Sequence, residues 1–316
     1  MKEEFIVSPE TNTEKNILLL KKEMSEITEA SVIELRELAL TVCDELSGFA
    51  DGLGVYEMLE LIREGVSLSA GEIHTDALEC NKSILYSTLS LIKEENKAVF
   101  TAVLLEALKS RGFKVDEQAF LPPSRPKELI TYVKNLFSDE AFDVFSVGFQ
   151  DARVKYSQTI KDAVRSLYDS EVGYAILPIE EGGSRIHTID EIIYKNDFKI
   201  ISITPVFGQG ADTDLKYALI SRALVTEDYE EGDDRYIEVR ISKCKTMSLT
   251  GILLAANLFS LDIYRLGTVS FGEDDKKQDF YSLILKSEGR DFVGMLTYLT
   301  LFTDDFSVVG MYKNLE

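Results

Sequence analysis

Along residues 154–203, apolar runs typical of strands alternate with segments whose apolar residues have the spacing of a helix. The apolar run that begins at Tyr174 stops at Glu180 and Glu181, as in a buried strand whose end carries polar groups to the edge of a sheet. Residues with helical spacing precede and follow this run, and another apolar run occupies residues 198–203. The helically spaced residues are Ile160, Ala163, Val164, Leu167 and Tyr168 before the run and Ile186, Ile189, Ile192 and Ile193 after it. Strands that alternate with helices predict a layered α/β unit.

Helical spacing also dominates the first third of the chain. The predicted helices span residues 17–27, 32–46, 55–62, 84–92 and 98–108. Ser31 is a suitable N-cap for the second of these helices, and Gly112 is a suitable stop for the last. We therefore expect a helical domain over residues 1–112.

Residues 113–233 have a mixed pattern, in which short apolar runs flank a proline-containing segment. Here we predict a strand at 113–115, a helix over 128–137, and strands at 144–149 and 215–220. Together with residues 154–203, these elements predict an α/β domain over residues 113–233.

The last 83 residues alternate in the order strand, helix, strand, strand, helix, strand. The predicted strands span residues 236–241, 262–271, 280–285 and 307–312, and the helices span 249–261 and 292–302. This order is the ferredoxin-like layout, so we expect a domain over 234–316. Its antiparallel four-stranded sheet should carry both helices on one face. The predicted fold class is thus a helical region followed by α/β and α+β domains.

The charge of the chain excludes two classes of partner. Its net charge is −21 and its pI is near 4.6, whereas nucleic acids and anionic membrane surfaces attract proteins with Lys/Arg patches. No apolar stretch approaches the ~20 residues of a membrane span, and the N-terminus lacks the features of a leader peptide. We expect a cytoplasmic protein that binds neither nucleic acid nor membrane.

The few cysteines and histidines argue against a metal centre. Cys43, Cys80 and Cys244 are widely spaced and form no CxxC pair, and His74 and His187 are the only histidines. We expect free thiols in a reducing compartment, no metal site and no cofactor.

The segment from Val154 to Ile203 resembles the core of prephenate dehydratases. Thr159 corresponds to the cap of a helix in that family, and Pro178-Ile179-Glu180 corresponds to the start of its Pro-Ile-Glu-Asn-Ser motif. The pattern then changes, because Glu181 and Gly182 replace Asn and Ser.

A second departure lies where the family has a Thr-Arg-Phe strand. Leu215 and Lys216 stand in place of its Thr and Arg, and the chain is too short for the second subdomain that completes the family's cleft. The resemblance implies Thr159, Glu180, Glu181 and Lys216 as candidate catalytic residues of a carbon–oxygen lyase.

Residues 234–316 resemble the ACT regulatory domain that follows the catalytic part of these enzymes. The resemblance implies that Ser248, Leu249, Gly267 and Thr268 occupy the positions that bind phenylalanine in the family, although only Leu249 matches its motif. Ser248 could offer a helix N-terminus to a carboxylate, or it could serve only as an N-cap. ACT-type domains pair, so we expect a homodimer.

Three functions of different class fit this sequence. The altered motifs favour a non-catalytic protein of aromatic amino-acid metabolism that binds an amino acid or an aromatic-pathway acid. One alternative is an active prephenate dehydratase, which converts prephenate to phenylpyruvate, with a rebuilt site. The other is a scaffold whose helical domain docks a partner without binding a ligand. A chorismate mutase is the weakest hypothesis for the N-terminal helices, because the spacing of their cationic residues does not match that of the chorismate mutase family.

Overall fold

A computed structural model describes most of the chain. The described residues are 29–49, 59, 92–121, 124–207, 215–225, 234–243, 248–272, 278–303 and 305–313, and side chains of the first helix are described over 33–43. The helix predicted at 17–27 lies outside these residues, and so do those at 55–62 and 84–92 apart from Leu59 and Ile92.

Eight helices and ten strands occupy the described residues. The helices are α1 (Glu29–Phe49), α2 (Glu94–Ser110), α3 (Glu117–Phe120), α4 (Leu136–Ser146), α5 (Ile160–Tyr168), α6 (His187–Lys195), α7 (Leu249–Leu258) and α8 (Val293–Phe302). The strands are β1 (Leu129–Val133), β2 (Arg153–Ser157), β3 (Tyr174–Glu181), β4 (Ser184–Arg185), β5 (Lys199–Val206), β6 (Leu215–Ser221), β7 (Asp234–Ser242), β8 (Asp262–Phe271), β9 (Gln278–Glu288) and β10 (Phe306–Tyr312). None of the helices in this part of the chain is both long and apolar enough to cross a membrane.

The chain forms two compact units that are interleaved in sequence. One comprises residues 1–115, 246–259 and 293–302, and the other comprises residues 116–245, 260–292 and 303–316. The helices α7 and α8 therefore group with the N-terminal helices, and all ten strands belong to the second unit. Whether residues 1–112, 113–233 and 234–316 fold as separate domains stays a prediction.

The first unit is built around α2, which contacts α1, α7 and α8. Phe100 of α2 packs edge-to-face against Phe302 of α8, with ring centroids 6.2 Å apart. The helix α8 is mostly apolar and is buried on every side, since all residues from Val293 to Leu301 are buried. A helix of this composition is stable only where other elements cover its whole surface.

The second unit contains one continuous mixed sheet in the order β2-β1-β3-β6-β5-β10-β7-β9-β8, with β4 paired to β3. The pairs β1–β2, β1–β3 and β5–β10 are parallel, and the other pairs are antiparallel. The last four strands pair antiparallel in the order β10-β7-β9-β8, and β10 also pairs with β5, so these strands are part of the larger sheet. The ACT-type identity of these strands stays a prediction.

Each face of the sheet carries its own apolar core. On one face, α5 and α6 contribute Leu167, Ile189 and Ile193 to a core that extends to Tyr236 and Tyr312. On the other face, α4 contributes Ala141 and Phe145, which pack against residues of β1, β3, β5 and β6. We call these the α6 face and the α4 face. Helices on both faces explain why β3 and β5 are buried along almost their whole length.

Residues 113–149 are where the predictions were wrong. No strand forms at 113–115, the predicted helix at 128–137 is mostly strand β1, and the predicted strand at 144–149 is the end of α4 followed by a turn. The run Leu129–Val133 is rich in β-branched and aromatic residues, which favour a strand. A capping box between Asn135 and Ser138 then starts the helix.

Candidate functional site

The first candidate site lies beside a glycine turn at the end of β3. Gly182 and Gly183 both have positive φ values, 58° and 74°, and they join β3 to β4. Two-residue hairpin turns of this kind require positive φ at both positions, which glycine adopts at little cost. The turn brings Arg185 opposite Glu180 in the strand pair.

Glu180 is surrounded by cationic side chains. Its Oε1 lies 2.6 Å from an Nη of Arg265 on β8 and 3.3 Å from Nε of Arg185. Its Oε2 lies 3.5 Å from Nζ of Lys216 on β6. The Glu180 side chain is only 9% exposed, so three cations offset the cost of burying its charge. The structure thus brings Glu180 and Lys216 together, as two of the residues selected from the sequence.

A second buried carboxylate extends this cluster across the sheet. Glu238 of β7 forms an ion pair with Arg185 and accepts a hydrogen bond of 3.3 Å from the hydroxyl of Tyr312 on β10. Burial opposes the charge of Arg185, but Glu238, Tyr312, Asp190 and Glu180 together outweigh that effect and raise the pKa of the guanidinium. Burial, together with the charge of Glu238, raises the pKa of Tyr312 well above its usual value. We call Glu180, Arg185, Glu238, Arg265 and Lys216, with Tyr312, the β3–β7 ion cluster.

One further buried pair lies on the α6 face. An Nη of Arg240 on β7 is 3.5 Å from Oδ1 of Asp190 on α6. Burial raises the pKa of Asp190, an effect that the nearby Arg185 partly offsets. Burial likewise lowers the pKa of Arg240, and Glu238 and Asp190 only partly compensate.

Thr159 and Glu181 lie outside the β3–β7 ion cluster. Thr159 is the N-cap of α5, where its hydroxyl accepts from the Asp162 amide at 3.1 Å and donates to the Asp162 carboxylate at 2.7 Å. Glu181 is exposed at the end of β3. The structure therefore gives Thr159 a structural role in a capping box, and it does not gather the four catalytic candidates into one site.

The four ligand candidates of the C-terminal region fall in different compact units. Ser248 caps α7 by accepting a 3.4 Å hydrogen bond from the Gly251 amide, and Leu249 is the first residue of that helix. Gly267 and Thr268 are exposed on β8, where the Thr268 hydroxyl accepts from Lys243 Nζ at 3.1 Å. The candidate phenylalanine site at these positions stays a prediction.

A cavity of about 970 Å³ lies on the α4 face of the sheet. Its apolar lining includes Phe145, Phe149, Tyr174, Ile201 and Leu219. The rings of Phe149 and Tyr174 pack edge-to-face with their centroids 5.0 Å apart, which gives the cavity an ordered aromatic wall. We refer to it as the α4 cavity.

Charged residues are few in the α4 cavity. Arg125 and Lys313 are its cations, and Glu128 and Asp143 are its anions. Glu128 accepts a hydrogen bond of 3.1 Å from the Asp151 amide through one of its carboxylate oxygens. A large apolar cavity with a few polar groups at its margin is the usual form of a small-molecule site.

The chemistry of these two sites differs. In the β3–β7 ion cluster every carboxylate contacts at least one cation, an arrangement that stabilises the sheet where its strands converge. In the described part of the chain, no group of three His, Cys, Asp or Glu residues is placed to hold a metal ion. The α4 cavity, in contrast, has room for a ligand of substantial size.

Sequence reasoning missed Arg185, Glu238, Arg265 and the α4 cavity. A signal for Arg185 exists, because a Gly-Gly pair after a strand predicts a tight hairpin that returns the following residues. Glu238 and Arg265 come from strands 53 or more residues away from Arg185, and no local pattern indicates such pairings. The cavity was missed because residues 128–149 were assigned to the wrong elements.

No protein-family model matches the chain, and no curated protein matches it. Among solved structures, it is similar to prephenate dehydratase from Streptococcus mutans, with 14% identity, a TM-score of 0.46 and coverage of 60% of this chain and 99% of that one. A prephenate dehydratase from Arthrobacter aurescens in complex with L-Phe gives 13% identity, a TM-score of 0.43 and coverage of 59% and 90%. A structure described as GqqA, a novel type of quorum quenching acylases, gives 16% identity, a TM-score of 0.45 and coverage of 60% and 96%. At identities and TM-scores this low, the distant likeness supports no conclusion about activity or site residues.

Proposed function

We propose that the protein binds a small aromatic carboxylate, either an aromatic amino acid or an acid of the same metabolic pathway, and that it does not dehydrate prephenate. The α4 cavity carries this proposal. Its volume of about 970 Å³ lies at the upper end of the range of about 300–1,000 Å³ that small-molecule sites occupy.

The lining of the α4 cavity favours an aromatic ring. Phe145, Phe149 and Tyr174 present ring edges and faces, and aromatic pairs add about 0.5–1.5 kcal/mol beyond the burial of their surface. Ile201 and Leu219 form the floor on the sheet. A ligand with a ring would cover these side chains and exclude water from them.

A carboxylate on the ligand would pair with Arg125. Arg125 is an exposed cation at the margin of the cavity, and a guanidinium can bind a carboxylate through two parallel hydrogen bonds. Charge-assisted hydrogen bonds of this type contribute about 1.5–3 kcal/mol. The ligand class that fits both features is an aromatic acid.

The contacts of the catalytic candidates support the absence of dehydratase activity. The Thr159 hydroxyl is used within the α5 cap, and Glu180 and Lys216 contact each other in the β3–β7 ion cluster. Leu215 has no hydroxyl to offer to a departing group. None of these groups is within the α4 cavity lining.

Calorimetric titration of the full chain tests the binding proposal. We would use L-phenylalanine and phenylpyruvate as probes, the former because the Arthrobacter aurescens structure holds L-Phe. We expect saturable binding that weakens about tenfold, or about 1.4 kcal/mol, in Arg125→Met. Arg222→Met removes an exposed cation outside the cavity and should bind as the wild type does.

Two results would reject the binding proposal. Absence of saturable binding by any aromatic acid would favour the scaffold hypothesis. Equal affinities for the wild type and Arg125→Met would place the ligand elsewhere.

An activity assay tests the second part of the proposal. Phenylpyruvate formation from prephenate at neutral pH should equal the uncatalysed background. We expect no gain from the double substitution Leu215→Thr with Lys216→Arg. Saturable turnover that Glu180→Gln or Thr159→Ala abolishes would instead identify an active dehydratase.

A further inference from the structure

A second, smaller cavity lies on the opposite face of the sheet. Its volume is about 130 Å³, and it is lined by residues of α6 and its C-terminal turn together with residues of β7, β9 and β10. Ile193, Phe198 and Val309 in its wall belong to the core of the α6 face, whereas the α4 cavity is lined by the core of the other face. The two cavities share no residue. We refer to the smaller one as the Arg240 cavity.

The buried cation of this cavity is only partly compensated. The Arg240 side chain is 2% exposed, and the one ion pair that it forms with the described residues, to Asp190, is 3.5 Å long. Its Nε is buried without a hydrogen-bond partner among the described residues. The guanidinium carbon lies 4.9 Å from the centre of the Phe271 ring, which supplies a weaker interaction with the charge.

A buried donor without an acceptor is costly. Leaving such a group unsatisfied carries the penalty of its desolvation, which is larger when the group is charged. Burial lowers the pKa of Arg240 despite the carboxylates of Glu238 and Asp190, which is consistent with a cation that lacks sufficient negative charge around it. An anionic group in the cavity would satisfy Arg240.

Two acidic residues also line the Arg240 cavity. Asp197 and Asp305 are exposed, whereas Arg240 is buried, so the two carboxylates mark its solvent side. Oδ1 of Asp197 contacts Lys199 Nζ at 2.6 Å, and Oδ2 of Asp305 accepts a 3.0 Å hydrogen bond from the Ser242 hydroxyl. Each of these contacts involves one oxygen of its carboxylate.

A chain of hydrogen bonds positions Asp305. The Ser242 hydroxyl, which donates to Asp305, accepts from Gln278 Nε2 at 3.1 Å. The Gln278 side-chain oxygen in turn accepts a 3.5 Å hydrogen bond from the hydroxyl of Tyr194, whose ring stacks on Phe271. The acidic side of the cavity is therefore tied to the same aromatic ring that lies against Arg240.

We infer that the Arg240 cavity binds a compact zwitterion, an α-amino acid with a short side chain, whose carboxylate pairs with Arg240 and whose ammonium group pairs with Asp305 and Asp197. A simple anion fits less well, because it would pass two carboxylates on the solvent side. The volume corresponds to about four water molecules, which limits the side chain to a few atoms. This site is separate from the proposed aromatic-acid site and does not depend on it.

Calorimetric titration of the full chain with glycine, L-alanine and L-serine tests this inference. We expect saturable binding of at least one of them. Propionate, which lacks the ammonium group, and ethylamine, which lacks the carboxylate, should each bind at least about tenfold more weakly.

An exposed residue of the cavity can be substituted without disturbing the fold, so a change in binding then reports on the site itself. Asp305→Asn should weaken amino-acid binding about tenfold and leave propionate binding unchanged, because only the ammonium contact is lost. Asp262→Asn, an exposed carboxylate on β8 outside the cavity, is the matched control and should bind amino acids as the wild type does. Arg240→Lys should weaken binding of both amino acids and propionate, because a point charge replaces the guanidinium fork.

Three outcomes would overturn the inference. They are no saturable binding of the three amino acids, equal binding of propionate and alanine, and amino-acid binding that Asp305→Asn does not weaken. Titration of the same preparations with L-phenylalanine separates this result from the aromatic-acid proposal, since Arg125→Met and Asp305→Asn should affect different ligands.

Discussion

Gly310 of β10 lies directly against Ile200 of β5 in a parallel pair. A Cβ atom on residue 310 would come within 2.7 Å of the Ile200 carbonyl oxygen and 2.8 Å of the Ile200 Cβ. This contact joins the strands of residues 129–221 to those of residues 234–312 in one sheet. Glycine is required at this position because the two strands approach too closely for any side chain.

Gly310→Ala should therefore destabilise the protein. We expect the free energy of unfolding to fall by about 1–3 kcal/mol, the usual cost of overpacking a filled site. Urea unfolding followed by circular dichroism measures this change. Gly267→Ala is the control, because a Cβ at exposed Gly267 on β8 meets no atom within 4 Å. Equal stabilities of the two variants would show that the β5–β10 junction adjusts without cost.

Loss of Arg185 should be more severe than loss of a surface cation. Arg185→Met leaves the buried carboxylate of Glu238 without its ion pair, and such a change costs about 3–5 kcal/mol. Arg165→Met removes an exposed pair with Asp169 and should cost about 0.5 kcal/mol or less. Urea unfolding of both variants gives the comparison.

A double substitution isolates the interaction of Arg185 with Glu238. Arg185→Met combined with Glu238→Gln should cost clearly less than the sum of the two single substitutions, because the residues share one contact. Additive costs would show that the two side chains are stabilised by other groups and do not act as a pair.

Tyr312 should make the protein sensitive to alkaline pH. Its folded-state pKa is raised above the usual value, so its stabilising contribution is fully present below the unfolded-state pKa of about 10. Between that pKa and the folded-state pKa, the unfolded chain is deprotonated while the folded protein keeps the proton, so stability falls by about 1.4 kcal/mol per pH unit. Stability measured between pH 9 and about pH 11 should fall less steeply in Tyr312→Phe than in the wild type.

Two observations decide that prediction. Tyr168→Phe, which changes an exposed tyrosine, should retain the slope of the wild type. An identical slope in wild type and Tyr312→Phe would show that Tyr312 ionises as readily in the folded protein as in the unfolded chain.

The edge strand β8 should mediate a homodimer. It lies at the end of the sheet, and Ile263, Tyr264 and Leu266 on it are exposed apolar residues. An open edge with apolar side chains favours pairing with another strand, whereas a lysine on an edge opposes it. Sedimentation at micromolar concentration should show a dimer for the wild type and a larger monomer fraction for Leu266→Lys.

The control for dimerisation is Leu136→Lys, which places the same charge at an exposed apolar residue at the start of α4. This variant should remain dimeric. A monomeric wild type at micromolar concentration would contradict the prediction.

The sequence predicted those elements whose local chemistry agrees with their final environment. The helix after Thr159 has both its capping box and its apolar stripe, and the strands β3, β5, β8 and β10 have apolar or alternating residues between turn signals. The helix predicted over 128–137 was wrong because the segment Leu129–Val133 is short and apolar, and a short apolar run does not distinguish a strand from a helix.

Only the tertiary structure decided which distant residues meet. Glu180 was selected from a motif, but its partners Arg185, Lys216 and Arg265 come from three different strands, and Arg240 faces a cavity formed by elements that are up to 116 residues apart. Sequence periodicity indicates which face of a helix or strand is buried, because apolar side chains recur on that face at the period of the element. It does not report which strand lies next to which, because that choice depends on strand register and on the packing of helices over both faces of the sheet.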